Sequence, residues 1–163
     1  MLAQNIFFGL IAVTMVLAAL KVVTTRNVVH AALFLVVVLA GVAGQFILLA
    51  AEFTAATQVL VYIGAVIILF LFGLMLTQAQ IGSPSSLDND RRSLAGGTAV
   101  ILFALLGYVL WDGFGDTELE LTRVQRTAEV SDSIFSTYIV AFEAVSVLLL
   151  AALIGAIVVA RRE

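Results

Sequence analysis

Residues 52–76 read EFTAATQVLVYIGAVIILFLFGLML, and after Glu52 no charged side chain interrupts them. About 20 apolar residues at about 1.5 Å rise each cross roughly 30 Å of hydrocarbon. This stretch is therefore long enough to span a bilayer as a helix. Its polar groups, among them Thr57, Gln58 and Tyr62, gather in its first half. Gln58 and Tyr62 are four apart and share a helical face. Gly64 and Ala65 remove bulk just past Tyr62. A glycine inside a helix weakens it and permits a local change of winding, including a π-bulge. Close packing through small residues is the plainer reading.

Outward from this stretch the pattern repeats. The 163 residues are 63% hydrophobic and 12% charged, with a mean hydropathy of +1.17. A soluble domain is nearer half apolar and a quarter charged, and too much of its surface must face water to hide the excess. Five spans are predicted, at about Asn5 to Val23, Ala31 to Ala51, Ala55 to Leu76, Leu94 to Trp111 and Tyr138 to Ala160. The expected fold is an all-α membrane protein, with residues 1–163 forming a single transmembrane domain. The very short link between spans two and three predicts a tight antiparallel hairpin. The first span has no Lys or Arg before it and leads into Lys21 and Arg26, so it reads as a retained helix rather than a signal peptide.

The segments between spans are polar. Residues 81–93 hold Pro84, the one proline, with Gly82, Asp88, Asn89 and Asp90, and read as a loop. Residues 112–136 are acidic, and the part around Thr117 to Arg126 reads as a short strand or surface helix. Lys21, Arg26, Arg91, Arg92, Arg161 and Arg162 fall on one side of a five-span layout, and Arg123 and Arg126 on the other. That asymmetry predicts an N-terminus outside (periplasmic) and a cytoplasmic C-terminus. Trp111 and Tyr138 then lie at the outer interface, where aromatic residues concentrate.

Several chemistries are excluded. The chain has no Cys, which removes disulfides, thiolate metal sites and iron–sulfur ligation. His30 is the single histidine, so neither a catalytic triad nor a His cage fits. The net charge of −3, without a basic patch, argues against nucleic acid.

Among the remaining polar residues Glu143 stands out, about two turns into the fifth span. A carboxylate there pairs, protonates or faces water. It reads either as a proton-relay or gating carboxylate, or as a neutral group bonded to a neighbouring helix. Ser146 lies one turn on and could help satisfy it. Glu52, at the turn before span three, reads as a solvated charge favoured by the helix dipole, with a proton-path role as the alternative. His30, beside Asn27, reads as a helix-start residue, and a proton shuttle is the weaker alternative. Gly41 with Gly44, and Gly96 with Gly97, read as packing positions.

At Gln58-Val-Leu-Val-Tyr62-Ile63-Gly64-Ala-Val-Ile-Ile-Leu-Phe70 the sequence resembles the J subunit of bacterial NADH:quinone oxidoreductase (complex I), the counterpart of mitochondrial NADH dehydrogenase subunit 6. Phe142-Glu143-Ala-Val-Ser146 through Gly155 is a second match. Arg26-Asn27-Val-Val-His30-Ala is a third, with Val28 or Val29 where the family commonly has proline. The resemblance implies a membrane-arm subunit in a bacterial cell (inner) membrane, beside the K-like, H-like, A-like and N-like subunits. It implies a third helix that converts between bulged and regular winding, with Tyr62, Gly64, Ala65, Val66, Ile67 and Phe70 as gating residues. Ile67, Leu69 and Phe70 would form an apolar plug that dries the path when the helix is regular. Glu143, Glu52, Gln58 and Ser146 are then proton-path candidates. It further implies no catalytic residue, metal or cofactor in this chain, with NADH, FMN, iron–sulfur clusters and quinone in other subunits.

Two other readings compete. One is the homologous subunit of a membrane-bound hydrogenase or a Mrp-type cation antiporter, which shares the third-helix pattern. The other is a stand-alone channel or carrier, which the scarcity of intramembrane charge disfavours.

Overall fold

The structure is a computed structural model that describes residues 2–77, 91–115, 117, 124 and 126–161. Its described residues form helices and turns. They are α1 (Leu2–Thr24), α2 (Val28–Leu48), α3 (Glu52–Leu76), α4 (Arg92–Phe114), α5 (Thr127–Phe135) and α6 (Ile139–Ala160). All but the short α5 contain a stretch long and apolar enough to cross a membrane. The chain is thus a multi-pass membrane protein with the five predicted spans. Most of the expected loop at 81–93 lies outside the described residues, as do Arg123, Arg162 and most of 117–126.

Local chemistry moves the helix ends away from where hydropathy alone puts them. α2 starts at Val28, not Ala31, because the Asn27 side chain accepts from the amides of Val29 (2.9 Å) and His30 (3.3 Å). α2 ends at Leu48, not Ala51, because Ala50 turns left-handed with φ 56°. The Ala51 amide then donates to the Phe46 carbonyl (2.9 Å) and the Ala50 amide to that of Ile47 (3.0 Å), the paired bonds of a Schellman motif. That turn lets α3 begin three residues earlier than Ala55, with Glu52 in its positive first turn. A short helix, α5, follows the segment around Thr117 to Arg126. Phe135 at its end meets Phe142 of α6 edge-on, with ring centroids 5.0 Å apart.

α1, α2 and α3 pack in a row with α2 in the middle. Small residues make this closeness: Ala18, Ala32, Ala43 and Ala55 are all buried. Gly41 and Gly44 are packing positions as expected, because Gly41 is pressed by the Met15 side chain and Gly44 faces Ile11. The amide of Gln4 in α1 donates to the Leu48 carbonyl at the end of α2 (2.8 Å), tying the antiparallel pair at one end. The other two spans behave differently. Among the described residues α4 touches no other helix, and α6 touches only α5, which in turn rests on the first turns of α3. Among the described residues no heavy atom outside α4 lies within 4 Å of where a Cβ would stand on Gly96 or Gly97, so a partner for these packing positions is not a described residue of this chain.

Candidate functional site

The third span is not one regular helix. Glu52–Thr57 and Ile67–Leu76 are α-helical, and Gln58–Val66 between them is π-helical. The Ile67 amide donates to the Tyr62 carbonyl, five residues back rather than four. The π segment thus contains Gln58, Tyr62, Gly64, Ala65 and Val66, and ends against Ile67.

The winding shows in which residues are sheltered. Ala55, Gln58 and Ile67 are buried, and Ile63, Leu71, Gly73 and Leu74 are half-buried. From Ala55 to Leu74 the sheltered stripe steps by three, five, four, four and three. The step of five, Gln58 to Ile63, is the π turn. A regular helix would return to the Gln58 face at Tyr62. Here Tyr62 is 49% exposed, Val66 47% and Phe70 45%. Gln58 itself is only 8% exposed, the sole buried polar residue among those described. Gly64 faces the carbonyl of Val59, five residues back, which an added Cβ would meet at 3.4 Å. The Thr57 hydroxyl donates to the Phe53 carbonyl (2.8 Å) and so satisfies its own helix.

The structure brings some predicted site residues together and separates others. Ile67 is buried on the side toward α2, whereas Leu69 and Phe70 lie on open faces in this π-wound form; the plug is expected of the regular form. Glu52 sits exposed at the start of α3. Glu143 and Ser146 are exposed on α6, which does not touch α3. The Ser146 hydroxyl donates to the Phe142 carbonyl (2.9 Å), not to Glu143. The hydroxyl thus back-bonds to its own helix, sharing a carbonyl that already accepts in the helix ladder. His30 contributes its amide to the Asn27 cap.

A family profile described as NADH-ubiquinone/plastoquinone oxidoreductase chain 6 matches residues 18–159. The chain belongs to the oxidoreductase chain 6 family. Among family members, NAD(P)H-quinone oxidoreductase chain 6 of Nostoc sp. is 38% identical over 98% of this chain and 80% of its own length. F(420)H(2) dehydrogenase subunit J of Methanosarcina mazei is 39% identical over 98% of this chain and 92% of its own. The chloroplast subunit 6 of Nephroselmis olivacea is 36% identical over 99% and 95%. A chain 6 protein is thus a membrane subunit of an oxidoreductase, and the π segment falls inside the matched region.

Proposed function

We propose that this chain couples quinone reduction to proton translocation in a complex I-type assembly, through a change of winding in α3. The observation that carries the reading is the π turn at Gln58–Val66. A π turn holds one residue more than the α turn it replaces, so removing it turns everything beyond it by about 100°. The sheltered stripe would then shift by one residue. Tyr62, Val66 and Phe70, four apart, would replace Ile63, Ile67 and Leu71 against α2. Two windings of one packed helix can lie close in energy, so redox chemistry elsewhere in the assembly can bias them. The rotation exchanges the residues that face α2 and so opens or closes a hydrated path, with the regular winding as the dry form.

The chain takes its place among the K-like, H-like, A-like and N-like subunits of a bacterial inner membrane, N-terminus outside. NADH, FMN, iron–sulfur clusters and quinone belong to other subunits. The relatives name two electron donors, NAD(P)H and F420H2, which supports a coupling role that does not depend on the donor. Glu143 makes no hydrogen bond within the described chain, so its counterpart is water or a neighbouring subunit.

Gly64→Val tests the switch. A β-branched side chain adds bulk beside the Val59 carbonyl and stiffens the turn. Quinone-coupled proton pumping is expected to fall several-fold, while oxidation of the donor by an artificial acceptor stays within about twofold, because the redox arm is untouched. Equal loss of both activities would instead mean failed assembly. Identical π winding in resting and turning-over complexes would end the proposal.

A further inference from the structure

Between α1 and α2 runs a groove of about 520 Å³, independent of the π segment. Leu17 and Leu20 of α1 and Phe34 and Val37 of α2 form its walls. It extends from Thr14 to Thr24, about 15 Å along α1 at the usual rise. That is about half the hydrocarbon thickness, the depth of one leaflet. The hydroxyls of both threonines donate to their own helix, Thr14 to the Leu10 carbonyl (2.8 Å) and Thr24 to that of Leu20 (2.7 Å). The Lys21 ammonium is left as the polar group able to receive a ligand. No lining residue is acidic, and Lys21 has no ion pair among the described residues. Arg26, in the turn that follows α1, adds a second positive charge at the same end.

We propose that this groove holds one acyl chain of an anionic phospholipid, whose phosphate sits on the Lys21 ammonium. The size is that of a small-molecule site, about 300–1,000 Å³. The chemistry is amphiphilic in the right order: an apolar trough one leaflet deep, closed at the membrane surface by a cation. A lysine near a helix end reaches the headgroup level and attracts anionic lipid. A neutral prenyl tail would fill the walls and leave the ammonium without a counter-charge.

The test uses the intact assembly in nanodiscs of equal phosphatidylglycerol and phosphatidylcholine, with retained lipids counted by native mass spectrometry. Wild type and Lys21→Arg are expected to keep one phosphatidylglycerol that Lys21→Gln loses, with the headgroup preference at that site falling several-fold. Val37→Trp, which fills the trough and keeps the charge, is expected to lose that lipid outright. An unchanged lipid count and class in all four overturns the proposal. So does loss in Val37→Trp with full retention of phosphatidylglycerol in Lys21→Gln, which would mean a chain held without its headgroup. A neighbouring subunit's helix seated in the groove in a map of the assembly also overturns it.

Discussion

At the scale of single residues, Ala50 carries the strain in this chain. It alone among the described non-glycine residues has a positive φ, at 56°, and it does so to close the α2–α3 turn. A Cβ in the left-handed region costs about 1–2 kcal/mol, which is why glycine is the usual residue there. Glycine gives back roughly 0.5–1 kcal/mol in chain entropy. Ala50→Gly is therefore expected to stabilise the protein by about 0.5–1 kcal/mol. Titration of the folded protein with a denaturing detergent measures this, and a lower midpoint would show that the turn is relaxed as it stands. The turn was legible in the sequence as a short link, but its register was not. No Gly, Asn or Pro marks the left-handed position, so hydropathy carried the expected end of α2 on to Ala51.

At the scale of elements, apolar length made the five spans readable, and polarity contrast failed inside them. Residues 59–72 are almost uniformly apolar apart from Tyr62 and Gly64. In lipid, a helix need not carry a polar face opposite its packed face, so nothing in that run marks Ile63 rather than Tyr62 as the residue facing α2. The Tyr62–Gly64 pair pointed to the place where winding changes, whereas the step of five that defines it needed coordinates. Glycines show the same limit. Gly41 and Gly96 look alike in sequence, yet among the described residues Gly41 has a close neighbour, the Met15 side chain, and Gly96 has none. Gly41→Ala forces Met15 aside and is expected to cost about 1–3 kcal/mol by overpacking. Gly44→Ala meets only the tip of Ile11, at 3.2 Å, and should cost less. The same detergent titration ranks the two, and the reverse order would mean that α1 and α2 are more loosely seated than the structure has them.

At the scale of the whole molecule, α1, α2 and α3 pack on one another, and among the described residues the other two spans do not join them. Without a hydrophobic force between helices in lipid, α4 and α6 have nothing among the described residues to hold them beyond the contact of α6 with α5. Phe103 on α4 is 80% exposed, and Val147 on α6, one turn past Glu143, is 67% exposed. A carboxylate placed inside such an open helix gains most if another chain supplies its partner. A photo-crosslinking side chain at Phe103 or Val147 is accordingly expected to give adducts with other subunits in native membranes. The same group at Met15, which lies against Gly41, should give mainly crosslinks within the chain. Because the chain has no cysteine, a thiol placed at Val147 can repeat the test with a thiol partner on a neighbouring subunit. Adducts with lipid alone at both α4 and α6 would leave these helices as free-standing spans and deprive Glu143 of a partner from a neighbouring chain. Adducts with protein would make the open half of this chain a socket completed by its neighbours, with the winding of α3 on the closed half and the carboxylate on the open one.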